Sequence, residues 1–265
     1  MQHSLSPRIT WSLYKALTLR TIQARYRGSI LGLSWLVLYP LVLLAIYTLV
    51  FGVILKARWG GAQNDSLLDF ALHLYSGLLL FSWFAEAVTT SSRAVLDNDR
   101  YVRQVVFPVE MLPLISVSAA AVSFLFGLVV LLLAAVVSGQ PITANWAAIP
   151  LLLAPFVCLL FGLAWIVAAL SVYLRDLPNL VSSVMPAFMF LAPVFYSLDL
   201  VPETLRGWYW LNPITHATVW LRDAVFAEKL PPPGEWLMVA VICVAMAAFG
   251  RWLFLKLSQG FGDVI

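Results

Sequence analysis

Side chains that could carry out covalent chemistry are few in this sequence and stand far apart. The three histidines, His3, His73 and His216, are widely separated, and no pair of carboxylates is placed to share a reaction centre. The sequence has no Gly-Lys dipeptide, so it cannot form a phosphate-binding loop with its lysine. It also lacks a Gly-x-Ser-x-Gly elbow and a His-Glu-x-x-His motif. We therefore expect a non-enzyme whose chain binds no cofactor or metal.

One acidic residue, Glu86, lies well inside an apolar segment. A carboxylate exposed to lipid costs a few kcal/mol, so Glu86 should face protein or a water-filled route. Arg93 follows seven residues later on the same helix face, so an ion pair between the two is one interpretation. A channel or gating role for Glu86 is the other.

The composition indicates an all-α integral membrane protein. Of the 265 residues, 62% are hydrophobic and 11% are charged, whereas about 25% charged residues are usual in soluble domains. The two cysteines, Cys158 and Cys243, fall inside apolar segments and argue for neither a disulfide nor a metal site. The net charge of +3 reflects membrane topology, and we infer no nucleic-acid partner from it.

Long uncharged runs indicate where the chain crosses the bilayer, since a crossing helix needs about 20 apolar residues. The longest run, 111–174, is divided by Ser-Gly-Gln-Pro at 138–141, because glycine and proline end helices. Six spans are predicted, over about residues 30–55, 70–92, 111–137, 147–173, 178–197 and 236–255.

The segment before the last span is apolar but cannot cross as a straight helix. Its uncharged core, 207–221, has 15 residues and is interrupted by Pro213. Broken backbone at membrane depth survives only where it is buried in protein or lines a wet cavity. We therefore predict a re-entrant helical hairpin within 199–235. Asn212-Pro213 would form its turn, and His216 and Arg222 would cap or pair locally.

Basic residues predict the orientation of the chain. Residues 8–27 contain five basic side chains and no acid, which favours an interfacial helix on the lipid of the inner leaflet. If the N-terminus is cytoplasmic, eleven Lys and Arg residues lie inside and five outside, so both termini should be cytoplasmic. Gly28 and Gly32 form a Gly-x-x-x-Gly pattern that could let helices approach closely.

The connection at 93–110 is too apolar for a bare turn. Its Tyr101-Val102 and Val105-Val106-Phe107 predict a short helix with an apolar face. Such a face favours docking to a soluble partner, and packing against neighbouring helix ends is the alternative. A transporter without its own nucleotide site must use an ion gradient or a separate ATPase. Gradient-driven carriers usually show several intramembrane ionisable groups and internal repeats, and neither is evident here.

Four motifs, in this order along almost the whole chain, resemble the transmembrane subunits of ABC-2 type exporters, and among them the O-antigen and capsular polysaccharide permeases. They are Arg25-Tyr26-Arg27-Gly28-Ser29-Ile30-Leu31-Gly32-Leu33-Ser34-Trp35 leading to Pro40, Phe107-Pro108-Val109-Glu110-Met111-Leu112-Pro113, Tyr173-Leu174-Arg175-Asp176-Leu177, and the set Pro193, Tyr196, Pro202, Asn212-Pro213, His216 and Arg222.

The resemblance implies a single ABC-2 domain over 1–265, with the type V exporter fold, in a bacterial inner membrane. It implies a homodimer with two separate ATPase chains, which would bind ATP and Mg, and a polyprenyl-pyrophosphate-linked polysaccharide as cargo. The implied ATPase-coupling residues are Tyr101, Val102, Val105, Phe107, Pro108, Glu110, Arg175 and Asp176. The implied periplasmic gate residues are Tyr196, Trp208, Trp210, Asn212, Pro213, His216 and Arg222.

Aromatic residues in the first span are candidates for contact with such a cargo. Trp35, Tyr39, Tyr47 and Phe51 stand at multiples of four residues and so form one drifting stripe. Sugar rings present apolar C–H faces that stack on aromatic planes, so this stripe and Glu86 are glycan-channel candidates. The alternative for the stripe is ordinary interfacial and lipid-facing packing.

Three alternative functions remain to be weighed at this point. An ABC-2 exporter of a small molecule or drug would have the same architecture without a polymer. An integral membrane enzyme of lipid or glycan modification is disfavoured because the sequence has no set of catalytic side chains. A gradient-driven carrier is disfavoured because neither several intramembrane ionisable groups nor internal repeats are evident.

Overall fold

The computed structural model of the protein describes residues 7–54, 67–102 and 107–264, and the regular elements in these ranges are all helical, as predicted. Short 3₁₀ turns and two π-helical segments, Thr48–Ile54 and Asp223–Ala227, extend or connect the α-helices. In chain order the α-helices are α1 (Pro7–Tyr26), α2 (Trp35–Tyr47), α3 (Leu67–Arg93), α4 (Asp99–Val102), α5 (Met111–Val137), α6 (Asn145–Tyr173), α7 (Leu177–Phe190), α8 (Glu203–Trp210), α9 (Pro213–Arg222), α10 (Pro233–Ser258) and α11 (Phe261–Val264).

Within the described ranges, five helical segments are long and apolar enough to cross a membrane. They are Gly32–Ile54, Leu68–Arg93, Met111–Val137, Asn145–Tyr173 and Pro233–Ser258. The segment predicted to span at 178–197 forms α7, which has 14 residues and is therefore about 21 Å long. Its helix ends at Phe190 and the chain turns at 191–196, where Pro193 has no amide hydrogen to donate. The sixth crossing remains a prediction.

Polar contacts gather several helix ends at one end of the bundle, which we call the α1 end. Tyr14 Oη of α1 donates to Leu114 O of α5 at 3.3 Å. Arg93, the last residue of α3, donates to Asn179 Oδ1 of α7 at 2.9 Å. Residues 94–102 and 107–110 and the turn 174–176 therefore lie at the same end of the molecule.

The opposite end, which we call the α8 end, holds the two short helices α8 and α9 and the start of α10. Trp236 Nε1 of α10 donates to Leu151 O of α6 at 3.2 Å. Asn212, between α8 and α9, donates to Leu191 O just after α7 at 3.4 Å. Helices α3, α6 and α10 thus end at the α1 end, whereas α7 begins there and ends at the α8 end.

The core is built around α3. In an apolar stretch of 18 residues within Leu68–Arg93, 72% of the residues are buried. In the corresponding stretch of the first span, Gly32–Ile54, 11% are buried. Helices α2, α5, α6, α7 and α9 all contact α3. An apolar span with so little burial within its own chain has to face lipid or another protein chain.

Gly28 and Gly32 serve a turn rather than a helix interface. Their φ angles are +85° and +49°, which favour glycine, and no atom lies within 4 Å of a Cβ built on either residue. The expectation of close helix approach at this pair is therefore wrong. The two glycines lie in the connection between α1 and α2.

Candidate translocation site

A cleft of about 650 Å³ opens between α1, α2, α3 and α5 toward the α1 end. Its lining combines aromatic rings, hydroxyl groups and one pair of opposite charges. The lining side chains with these groups are Trp35, Tyr39, Tyr75, Trp83, Phe124, Ser29, Ser82, Thr90, Ser123, Arg25 and Glu86. Rings offer stacking surfaces and hydroxyls both donate and accept hydrogen bonds, so the cleft suits an amphipathic ligand.

Glu86 pairs with Arg25 of α1 in this cleft. The Arg25 and Glu86 side chains are 31% and 28% exposed, so the pair is only partly screened by solvent. Arg25 Nη1 also donates to Ser123 Oγ of α5 at 3.4 Å. These contacts fasten the end of α1 across the mouth of the cleft.

The expected Glu86–Arg93 pair is not formed. Seven residues correspond to about 10.5 Å along a helix, which is long for a direct ion pair. Arg93 instead donates to Asn179 of α7, and α1 supplies the partner of Glu86. Sequence spacing alone could not reveal Arg25 as that partner, because α1 and α3 meet only in the folded chain.

The aromatic stripe of the first span divides into two halves. Trp35 and Tyr39 line the cleft, and Trp35 Nε1 donates to Ser29 Oγ at 3.0 Å. Tyr47 and Phe51 lie outside the cleft lining and contact each other, with ring centroids 6.0 Å apart. Pro40 lies between the two halves, and a π-helical segment begins directly after Tyr47 and contains Phe51.

Phe51 packs into the α8 half of the molecule. Its ring centroid lies 5.8 Å from that of Phe195 and 6.4 Å from that of Phe70. Tyr47 and Phe51 both pack against the buried core of the bundle. Two of the four stripe residues therefore have packing partners within the chain and two face the cleft.

At the α1 end, Tyr101 and Phe107 stack with ring centroids 4.5 Å apart and an interplanar angle of 25°. Val105 lies outside the described residues, as does the side chain of Val102. Pro108 O accepts from the Met111 amide at 3.0 Å and so begins α5. The described residues on either side of 103–106 are thus joined by a pair of stacked aromatic rings.

Glu110 is held within the bundle. Its carboxylate accepts from Arg251 Nε of α10 at 3.2 Å, and its backbone carbonyl accepts from Trp165 Nε1 of α6 at 3.0 Å. Arg175 and Asp176, by contrast, are exposed in the turn between α6 and α7. Among the predicted coupling residues, Arg175 and Asp176 are therefore free to meet a partner, whereas Glu110 also ties α5 to α6 and α10.

At the α8 end, Asn212 and Pro213 stand where α8 connects to α9, the turn position expected from the sequence, and Asn212 also caps α9. Its Oδ1 accepts from the Ile214 amide at 3.0 Å, and Pro213 is the first residue of the helix. The Tyr196 and Tyr209 hydroxyls lie 2.7 Å apart and join the chain after α7 to α8. Trp208 and Trp210 are exposed on α8, Trp208 to 72%.

Arg222 reaches far along the chain, so the expectation that it pairs locally is wrong. Its buried guanidinium donates to His73 O and Ser76 Oγ of α3, and to Pro193 O and Val194 O in the chain after α7. Carbonyl and hydroxyl oxygens offset the cost of burying the charge.

His216 also has a partner at a distance. Its Nδ1 lies 3.2 Å from Glu235 Oε1 of α10, and its Nε2 lies 2.8 Å from Trp210 O of α8. Trp220 Nε1 donates to the same Glu235 oxygen at 3.3 Å. Glu235 was missed as a site residue because a lone acid before a span carries no sequence signal of its own.

Among the described residues no cluster of three His, Cys, Asp or Glu side chains could hold a metal ion. A helical chain with five candidate spans, a polar and aromatic cleft between helices, and a connecting loop with apolar rings has the features of a transport protein. Residues 12–226 match the ABC-2 type transporter family, and this chain belongs to it.

Three curated relatives cover almost the whole chain. An O-antigen export system permease protein RfbA of Klebsiella pneumoniae is 25% identical over 257 residues, 96% of this chain and 95% of the relative. The protein of that name from Myxococcus xanthus is 27% identical over 94% of both chains, and a second from Klebsiella pneumoniae is 24% identical over 96% and 95%. The resemblance seen in the sequence motifs is therefore confirmed.

Proposed function

We propose that this chain is the permease subunit of an ATP-driven exporter that moves a lipid-linked polysaccharide, O-antigen or a related surface glycan, across the cytoplasmic membrane. The cleft lined by Trp35, Tyr39 and Trp83 is the observation that carries the proposal. The similarity over nearly full length to three proteins named as O-antigen export permeases favours a glycan over a small molecule or drug.

The cleft has the groups that a sugar chain requires. Trp35 and Tyr39 stand about one helical turn apart on the same face of α2, and Trp83 faces the cleft from α3. Trp83 is buried behind this surface and stacks on Phe124 with ring centroids 4.4 Å apart, so Trp35 and Tyr39 are the exposed rings that a sugar can reach. Stacking holds a moving polymer through many weak, interchangeable contacts, which permit binding without trapping.

Two copies of the chain form the transporter in this proposal. The first span, Gly32–Ile54, leaves most of its apolar surface uncovered by its own chain, which supports a role near lipid or a second copy. A polyprenyl-pyrophosphate carrier would keep its lipid tail in the bilayer while its glycan enters the cleft. Helix α7 would complete the sixth span, and α8 and α9 would form the re-entrant gate.

Two separate ATPase chains, which bind ATP and Mg, would dock at the α1 end. The stacked Tyr101 and Phe107 and the exposed Arg175 and Asp176 are the docking candidates there. The protein would lie in a bacterial inner membrane with both termini and this end in the cytoplasm, in keeping with the excess of basic residues.

Deleting the chromosomal copy of this chain tests the proposal. We expect surface polysaccharide to disappear and the lipid-linked glycan to accumulate on the inner side of the cytoplasmic membrane. Expression of the chain from a plasmid should restore both. Normal surface glycan in the deletion strain, together with lost efflux of a small molecule, would support the drug-exporter alternative instead.

A further inference from the structure

Helices α6 and α10 pack side by side in a fixed register. Near one end, Trp236 Nε1 donates to Leu151 O at 3.2 Å, across a separation of 85 residues in the chain. Near the other end, Tyr173 Oη donates to Leu257 O at 2.7 Å, across 84 residues. A residue of α6 therefore faces the residue about 85 positions later in α10.

The two backbones touch at the middle of this interface. A Cβ built on Gly162 would lie 2.9 Å from Ala247 Cα and 2.7 Å from Met246 O. Gly250 has its own contacts with the Gly162 backbone. Small residues permit this close approach of two helices.

Cys158 and Cys243 stand one helical turn before this contact. Cys158 precedes Gly162 by four residues and Cys243 precedes Ala247 by four, so each cysteine shares the interfacial face of its helix. The separation of 85 residues between the cysteines equals that between Leu151 and Trp236. The register thus places the two cysteines at facing positions, one turn from the backbone contact at Gly162. A disulfide needs Cα atoms about 4.4–6.8 Å apart, a separation that helices in such close contact favour.

Their environment limits which reagents can reach them. Cys243 is fully buried and Cys158 is partly exposed. Both lie near the middle of helices long enough to span a membrane, so apolar reagents have access through Cys158 and charged reagents do not.

We propose that Cys158 and Cys243 form a dithiol site, which a membrane-soluble two-electron oxidant such as a quinone or iodine converts into a disulfide joining α6 to α10. The step breaks two S–H bonds and forms one S–S bond. Two electrons pass to the oxidant, giving a hydroquinone or two iodide ions, and two protons leave with them. The disulfide closes a long loop and should raise the unfolding temperature of the oxidised protein.

The test is thiol counting on the unaltered protein in its membrane. After treatment with iodine and denaturation in detergent, a polyethylene-glycol maleimide should modify no thiol, compared with two in the untreated protein. The protein should run as a monomer on a non-reducing gel, and dithiothreitol should restore both thiols. A charged maleimide applied to the folded protein should label neither cysteine.

A displaced thiol is the matched control. In the double variant Val157→Cys/Cys158→Ala the thiol is turned about 100° around α6, so iodine should leave both thiols of that variant titratable. Persistence of both thiols in the unaltered protein after iodine would overturn the proposal, as would disulfide-linked dimers in place of the internal bond. Equal oxidation of the displaced variant would also overturn it, because the pairing would then not depend on the register.

Discussion

At the scale of single residues, Arg222 and Gly77 organise the α8 end. The Arg222 guanidinium bonds to carbonyl oxygens on two separate chain segments, the middle of α3 and the turn after α7. Gly77 leaves the space for this side chain. A Cβ on Gly77 would lie 2.5 Å from Arg222 Nη2 and 3.0 Å from Val194 Cα.

We predict that Gly77→Ala destabilises the protein by about 1–3 kcal/mol, because overpacking forces buried groups apart. The readout is the unfolding midpoint of the purified protein in detergent. Gly207→Ala in α8 is the control, since nothing lies within 4 Å of a Cβ there, and it should be neutral or slightly stabilising. Equal effects of the two substitutions would contradict the assigned contact.

The ion pair between Arg25 and Glu86 leads to a second prediction at this scale. A double-mutant cycle with Arg25→Gln and Glu86→Gln should give a coupling free energy of roughly 1 kcal/mol, as for a partly exposed pair. The matched cycle with Arg93→Gln and Glu86→Gln should be additive. Coupling of Glu86 to Arg93 and none to Arg25 would contradict the structure.

Several residues could be chosen from the sequence, but most of their contacts could not. The need of Glu86 for a protein or water environment followed from the cost of a charge in lipid. Its partner, and those of His216 and Arg222, depend on which helices meet. The turn at Asn212-Pro213 was predictable because the residue before a proline avoids the α region, which is a local property of the chain.

At the scale of elements, the first span, Gly32–Ile54, makes different contacts along its length. Trp35 and Tyr39 line the cleft, whereas Tyr47 and Phe51 pack on the core. The four-residue spacing predicted a single stripe. It could not show that Pro40 lies between the two pairs of aromatic residues, or that the helix becomes π-helical after Tyr47.

We predict that Trp35→Ala/Tyr39→Ala lowers glycan export severalfold with little loss of stability, because these side chains face the cleft. Tyr47→Ala/Phe51→Ala should lower stability by about 3 kcal/mol or more, with normal export per folded molecule. Surface polysaccharide per unit of membrane-inserted protein separates the two effects. The reverse pattern would show that the cleft is not the path.

The loop at 93–110 is the second element whose role can be tested. Tyr101→Asp should prevent docking of the ATPase and separate ATP hydrolysis from export, because a charge would disrupt the stacked apolar rings. Tyr101→Phe keeps the ring and should preserve both. Co-purification of the ATPase and export are measured together, and normal export by Tyr101→Asp would refute the docking role.

Among the features of single elements, the presence of the long helices was the easiest to predict from the sequence. The uncharged run divided at 138–141 predicted α5 and α6, because long apolar periodicity and helix breakers are local signals. The end of α7 at Phe190 was not predicted, because the uncharged run from Leu177 to Leu198 indicated one span, although Pro193 is a local signal for a helix end. The departure of residues 191–196 from the helix depends on Arg222 and Tyr209, which bind this turn from other elements.

At the scale of the whole molecule, the two ends have distinct features. The α1 end holds the mouth of the cleft, the Tyr101–Phe107 loop and the exposed Arg175 and Asp176. The α8 end holds α8 and α9, fixed to α3 and α10 by buried or partly buried polar contacts. This difference between the two ends fits the proposed permease, in which the cargo enters and the ATPase docks at one end and the cargo leaves at the other.

Transport by purified components tests this account most directly. The chain and its ATPase are reconstituted in vesicles that contain a lipid-linked glycan, and the appearance of the glycan on the opposite leaflet is measured. We predict transfer that requires ATP and both proteins, and that falls severalfold with Trp35→Ala/Tyr39→Ala. Transfer by the chain alone, or no glycan transfer from a complex that hydrolyses ATP and exports a small molecule, would contradict the account.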